Sequence, residues 1–254
     1  MRSVVLVKQV PDTYNPRGLD PAGRVVRTDG DQVCDEISER ALEFALRCRE
    51  EAGTGEVVAV VMGPQDAKAA ARHVLAMGAD RAVHVCDDRL AGADQLQTAT
   101  VLGAALLRES PDLVLAGYAS TDGGGGVVAA LLAQLLQLPL LAGLASARVE
   151  GGRVSGTRVT EVGDVTVRAS LPAIVTVTDQ MAEPRLPNLR GVLGARRKTL
   201  TVLGLDDLGV AGVAPATAVV SVQQRPRRTG GRRLVDDGTA AGQLADYLTR
   251  LRVG

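Results

Sequence analysis

Short apolar runs, mostly β-branched, recur through the first half of the chain as Val4–Val7, Val57–Val61, Ala82–Val85 and Leu113–Ala116. Between them lie Asp35–Glu51, Pro64–Met77 and Asp94–Glu109, with apolar residues at helical spacing, such as Ile37, Ala41, Phe44 and Ala45 in the first. A strand that reads as a continuous apolar run is buried on both faces, and a helix between successive strands makes them parallel. The pattern therefore predicts an α/β, doubly wound, mostly parallel sheet with helices on both faces. Asp35 and Asp94 stand where helix N-caps are wanted, and Pro64 suits a first helical turn. A chain of 254 residues, 46% of them apolar, has enough core for one substantial domain with an appended arm.

The texture changes after Leu141. Arg148-Val149-Glu150-Gly151-Gly152-Arg153-Val154 reads as a β-hairpin on a Gly-Gly turn, and Val165–Ala169 and Ala173–Val177 add further strands. The sheet is thus expected to acquire antiparallel members. Val127 to Leu144 is the longest apolar stretch, but Gln134, Gln137, Pro139 and Gly143 interrupt it. It reads as buried helix plus turn, and no membrane insertion is expected. Met1-Arg2-Ser3 followed by Val4–Val7 and Lys8 is too short an apolar core for a signal peptide, so the expected address is cytoplasmic. Residues 1–212 are read as one nucleotide-binding α/β domain. Residues 213–254, rich in Ala, Pro, Gly and Arg and closing in a helical pattern from Ala240 to Leu251, are read as an arm.

Several classes of function fall away. The 29 basic and 29 acidic residues cancel, so no overall field draws the chain to nucleic acid. Aromatic residues make up only 2%, too few for base-stacking platforms. Arg225, Arg227, Arg228, Arg232 and Arg233 are interleaved with Pro and Gly and read as an extended arm rather than an RNA-binding patch. Cys34, Cys48 and Cys86 are odd in number and lack a C-x-x-C spacing, which predicts neither a disulfide framework nor a zinc site. His84 reads as a structural strand histidine, and His73 has no ligand set around it in sequence.

The segment richest in chemistry runs from Leu113 through Gly117, Tyr118, Ala119, Ser120, Thr121 and Asp122 to Gly123, Gly124, Gly125, Gly126, Val127 and Val128. It is a strand, a small polar loop, four glycines and a helix start. Backbone N–H groups at such a helix N-terminus attract an anion, and glycine lets the backbone approach a phosphate. Ser120 and Thr121 add hydroxyl donors; Asp122 is read as accepting from a ribose hydroxyl or capping the helix. Glycine content alone fits a ligand-free turn equally well, and neither G-x-G-x-x-G nor a P-loop is present. Position favours a site, because open α/β sheets bind ligands at the carboxyl ends of their strands. The ends near Lys8 and Met62-Gly63-Pro64 would line the same crevice.

Four motifs carry a family resemblance. Leu75-Ala76-Met77-Gly78-Ala79-Asp80-Arg81 with His84-Val85, and Val7-Lys8-Gln9-Val10-Pro11-Asp12, resemble segments of the electron transfer flavoprotein β subunit. Glu183-Pro184-Arg185 through Leu189-Arg190-Gly191 to Arg196-Arg197-Lys198 resembles that family's E-P-R-x-x-x-L-K-G-I-M-x-A-K-K-K signature, and Leu171-Pro172-Ala173 its L-P-A. The resemblance runs from Val4 to roughly Leu203. It implies an adenine nucleotide α-hydrolase-like fold in which Gly117–Val128 wraps AMP, with help from Leu6, from Gln32, Val33, Cys34 and Asp35, and from Ala59. FAD would be held mainly by an α subunit, with Asp12, Thr13 and Tyr14 reaching toward it, and the arm would lie on that subunit.

The same resemblance makes Leu189, beside Arg185 and Arg190, an exposed anchor for flavin-dependent dehydrogenases; from the residues alone a core leucine is the simpler reading. It further implies that electrons pass from donors such as acyl-CoA dehydrogenases, through FAD, to a quinone-linked oxidoreductase. Redox chemistry then belongs to the flavin, the chain is a carrier subunit rather than an enzyme, and no residue is catalytic. One departure bears on the site: many members carry an acidic run and Q-T-G where this chain has Gly123–Gly126 and Val127-Val128-Ala129. Two alternatives remain at this point, a bifurcating-type subunit with a second FAD in the nucleotide site and a stand-alone ATP-binding stress-type module.

Overall fold

The periodic segments fold in a computed structural model as expected, and the model adds strands that periodicity did not mark. It describes residues 1–15, 18–27, 30–211, 215–223, 226, 230–231 and 233–251. The first half holds β1 (Arg2–Val7), β2 (Gln9–Pro11), β3 (Gln32–Cys34), α1 (Glu36–Ala52), β4 (Glu56–Met62), α2 (Lys68–Met77), β5 (Arg81–Val85), α3 (Gln95–Glu109) and β6 (Leu113–Gly117). Next come α4 (Val128–Leu136), β7 (Leu140–Leu144), β8 (Ser146–Glu150), β9 (Arg153–Thr160), β10 (Gly163–Ser170) and β11 (Ala173–Val177). The described elements end with α5 (Leu189–Ala195), β12 (Leu200–Leu203), α6 (Leu205–Leu208) and α7 (Ala240–Arg250).

Seven strands make one parallel sheet in the order β12-β5-β4-β1-β6-β11-β7. Its pleat sends Val5, Val7, Ala59, Val61, Leu113 and Leu115 into a cluster with α1 and α2. Val4, Leu6, Val58, Val60 and Val114 enter a second cluster with α3 and α4 on the opposite face. The sheet is therefore doubly wound. Asp35 caps α1 by accepting from the Ile37 N–H at 3.1 Å, and Asp94 caps α3 by accepting from the Gln97 N–H at 2.8 Å.

Two expectations are corrected. The antiparallel strands do not join the main sheet: β8, β9 and β10 form their own three-stranded sheet, while β11 lies parallel between β6 and β7. The stretch from Val127 to Leu144 is not only helix and turn, because Leu140–Leu144 is strand β7 at the sheet edge. A short apolar run carries no period that separates strand from helix, so pairing with β11 decides its state.

The chain divides into two compact units, Met1–Val220 and Ser221–Gly254. The boundary expected at 212–213, like Arg225, Arg227, Arg228 and Arg232, lies outside the described residues. In the second unit, Leu244, Tyr247, Leu248 and Leu251 fall on one face of α7 and its C-cap, and all four are exposed. Among the described residues no helix is long and apolar enough to cross a membrane.

Candidate functional site

The strand order reverses beside β1, since the chain builds β1, β4 and β5 outward on one side and then crosses over to β6 on the other. β1 and β6 pair only as far as Val5 and Leu115. Beyond that point β1 stays with β4 through Val7–Val61 and β6 with β11 through Gly117–Val177, so the sheet opens into a crevice at this switch point.

Gly117 ends β6 against the first turn of α1, where a Cβ would lie 2.7 Å from Ile37 Cγ2; only glycine fits there. The loop then folds back. The Tyr118 N–H donates to Val177 O at 2.9 Å, and the Gly124 N–H donates to Ser120 O at 3.0 Å. Gly124 and Gly126 have φ of 61° and 65°, left-handed values that favour glycine. Val127 is the N-cap of α4 and no side chain caps the helix, so its first N–H groups face the exposed glycines.

Asp122 is the electrostatic centre. Its side chain is only 1% exposed, yet it accepts from Lys8 Nζ at 2.7 Å, from Arg27 Nη2 at 2.7 Å and from its neighbour's N–H, that of Gly123, at 2.6 Å. Burial alone would raise its pKa; the Lys8 ammonium, the Ser120 hydroxyl and the Gly123 N–H outweigh burial and bring the carboxyl down to about 2. Lys8 Nζ also reaches Ser120 Oγ at 3.2 Å and is 43% exposed on its open side. Asp122 therefore does not cap α4, one of the two roles expected for it.

Asp35 pins the loop from below. While Oδ1 caps α1, Oδ2 accepts from the Thr121 N–H at 2.8 Å and from Thr121 Oγ1 at 3.3 Å. Burial dominates here and raises the Asp35 pKa against those hydrogen bonds, with the Asp122 charge adding to the rise. Gln32, Val33 and Cys34 form a ribbon with Gln9–Pro11 beside the loop. Burial, reinforced by the Glu39 and Asp35 charges, pushes the Cys34 thiol well above its ordinary value, which makes it a poor nucleophile. The structure thus gathers Gln32, Val33, Cys34, Asp35 and the segment from Gly117 to Val128 around the opening. Leu6 sits on β1 just past the split, with its side chain packed toward α3 and α4.

Ala59 does not reach the crevice. It is 0% exposed in the middle of β4, under α1 and α2, and Met62 is the residue at that strand's open end. Beyond Met62, His84 Nε2 holds the carbonyls of Gly63 and Pro64 at 3.2 and 3.1 Å from its fully buried ring, as befits a structural histidine. The sequence reading missed Arg27 altogether. Arg27 is 95 residues from Asp122, and nothing in local pattern joins them.

The second candidate surface lies on α5. Asn188 caps this helix by accepting from the Gly191 N–H at 2.8 Å, and Gly191 packs where a Cβ would strike Ala76 O. Leu189 is 76% exposed, so it is no core leucine, and Leu186, Val192 and Leu193 are exposed with it. Arg190 is exposed. Arg185, expected to ring the leucine, instead grips α1: it bonds Glu43 at 2.8 Å and Glu50 at 2.5 Å. Lys198 is tied down as well, since Nζ donates to Leu75 O and Ala79 O at 2.9 and 2.6 Å, at the C-terminal end of α2. Among the described residues no group of His, Cys, Asp and Glu has the makings of a metal site.

Comparison with known proteins agrees with this architecture. The electron transfer flavoprotein domain family matches residues 23–208. The electron transfer flavoprotein subunit beta of Mycobacterium leprae is 42% identical over 98% of both chains, and that of Bacillus subtilis is 31% identical over 99% of this chain and 98% of its own. The caffeyl-CoA reductase-Etf complex subunit CarD of Acetobacterium woodii is 30% identical over 98% of this chain and 96% of its own. Domain match and full-length identity together mean that this chain belongs to the electron transfer flavoprotein β subunits, which are electron-carrier subunits rather than enzymes.

Proposed function

We propose that the crevice between β1 and β6 binds AMP, and that the chain pairs with an α subunit whose FAD relays electrons from flavin-dependent dehydrogenases, such as acyl-CoA dehydrogenases, to a quinone-linked acceptor. The observation that carries the nucleotide reading is the opening of the sheet at its switch point beside an uncapped helix N-terminus and a half-exposed lysine. Those groups suit a phosphate. Lys8 has three ammonium donors and two described partners, Ser120 and Asp122, so a donor remains for the phosphate. Backbone N–H groups of Gly125–Val128 supply the rest, and thus make up for the acidic run and Q-T-G that other members carry. Leu6, Gln32, Val33, Cys34 and Asp35 flank the nucleotide; Ala59 has no part in it.

FAD supplies the one-electron chemistry when the complex is loaded. This chain's part is to orient and shield. Asp12, Thr13 and Tyr14 follow β2 toward the flavin side, and Tyr14 is 95% exposed, as a residue awaiting a partner would be. Leu189 and Arg190, with the exposed apolar residues of α5, form the dehydrogenase dock. The exposed stripe of α7 supports an arm that packs on the α subunit. The proposed address of the complex is the cytoplasm.

The test is to co-express the chain with an α subunit, purify the complex and identify the released nucleotides by mass spectrometry alongside flavin absorbance. One FAD and one AMP per heterodimer is the expected result. Two FAD would replace AMP by a second flavin in the crevice, and a colourless lone chain retaining ATP would overturn the carrier reading.

A further inference from the structure

Residues 12–15 and the loop after β6 are far apart in sequence, yet two features link them. The first is Arg27. Its Nη1 donates to Gln9 O on β2 at 2.9 Å and to Gln32 Oε1 on β3 at 3.3 Å, while Nη2 donates to Asp122 Oδ2 at 2.7 Å. One guanidinium therefore ties both strands of the ribbon to the buried carboxylate of the loop. The planar fork suits this, because its donors point to several acceptors at fixed angles. The second is Thr121, next to Asp122. Thr121 walls a pocket of about 230 Å³ together with Asp12, Thr13, Tyr14 and Cys34.

Residues 12–15 are in turn anchored to the ribbon. The Asp12 N–H donates to Asp31 O at 2.8 Å, the Tyr14 N–H to Asp12 Oδ1 at 2.9 Å and the Asn15 N–H to Asp12 O at 3.1 Å. Any displacement of Asp122 thus pulls on Arg27 and the ribbon, and any displacement of Thr121 moves the pocket wall.

The geometry points to Arg27 as a positioning residue that couples the loop 118–127 to residues 12–15, so that a nucleotide phosphate in the crevice is felt in the Tyr14 pocket. The second half of this statement rests on the AMP reading; the first does not. A phosphate that draws Lys8 away from Asp122 leaves that carboxylate to Arg27 and tightens the tether. Phosphate binding and order around Tyr14 then rise together, as linkage requires.

Hydrogen exchange on the α–β complex tests both halves. Without nucleotide, Arg27→Gln is expected to speed amide exchange about tenfold in both 118–127 and 12–15, the loss of one charge-assisted bond to a buried carboxylate. Arg27→Lys, which keeps the charge but not the fork, restores the loop more than it restores 12–15. Faster exchange in only one of the two segments would overturn the tether. Added AMP should slow exchange in both segments of the parent, but in Arg27→Gln should slow 12–15 much less than 118–127; equal slowing of both in the variant would overturn the coupling. If AMP slows neither segment of the parent, the AMP reading fails while the nucleotide-free comparison still decides the tether. A melting curve on each variant separates these outcomes from loss of fold.

Discussion

Asp122 and Glu43 are both buried carboxylates held between two cations, and the backbone beneath them differs. Glu43 lies within α1, bonded to Arg47 one turn on at 2.7 Å and to Arg185 at 2.8 Å, and Arg185 also takes Glu50 and donates its own N–H to Glu43 at 3.2 Å. That network ties the segment leading to α5 onto a rigid helix and closes on itself. Asp122 instead rides on a glycine loop at the mouth of the sheet, and its partner Lys8 keeps an open side. The same ion-pair chemistry is a strut in one place and, in the proposed function, the floor of a binding site in the other. What decides between them is whether donors are left over and whether the backbone exposes N–H groups beside them.

Glu43→Ala should have the largest effect, leaving Arg185 and Arg47 without their acceptor. A loss of about 2 to 3 kcal/mol is expected from the melting of the complex, at the low end for a broken buried pair because both arginines are partly exposed. AMP affinity should stay unchanged; a fall in AMP binding alongside stability would erase the distinction between strut and site. Next, Leu189→Ala should raise KM for a reduced dehydrogenase donor about tenfold, the low end of what burying one leucine contributes. A similar rise in Arg185→Ala would sharpen the view that the strut serves to aim the dock.

Lys8→Gln should weaken AMP about fivefold in a titration of nucleotide-stripped complex, with a smaller loss in melting than Glu43→Ala, since Arg27 and the Gly123 N–H still hold Asp122. A drop in stability with no change in AMP would make Lys8 a second strut. The smallest effect is in acid. Asp122 and Glu43 both have depressed pKa values, so the stability they add is fully present above the ordinary carboxylate range and is lost as pH falls through it, for Asp122 toward about 2. Asp122→Asn and Glu43→Gln should each flatten the fall in melting temperature between about pH 5 and pH 3. Asp35, raised by burial, carries the opposite sign: its contribution is greatest when it is protonated and is lost as pH rises, so Asp35→Asn should steepen that fall.

Much of the sheet was legible because β1, β4 and β6 are buried on both faces and announce themselves as apolar runs, as does β5 apart from His84. β7 and β12 are edge strands, one broken by Gly143 and the other four residues long, and their pairing rather than their pattern makes them strands. The glycine loop was legible for the same local reason as the caps at Asp35 and Asp94. Ala59 was not, because choosing it demanded the place along β4 where the strand meets the crevice, and that place is Met62.

The order of elements, the caps, the glycine loop and the family motifs are set by the sequence alone, since each rests on neighbours within a turn or a strand. The tertiary structure alone decided that the antiparallel strands form a sheet of their own, that Arg185 grips α1, and that Arg27 and Lys8 meet on Asp122. The choices of Arg185, Arg27 and Lys8 depend on contacts across 95 to 142 residues. A side chain's charge is written in the chain, but which buried carboxylate it must neutralise is settled only when folding removes that carboxylate from water.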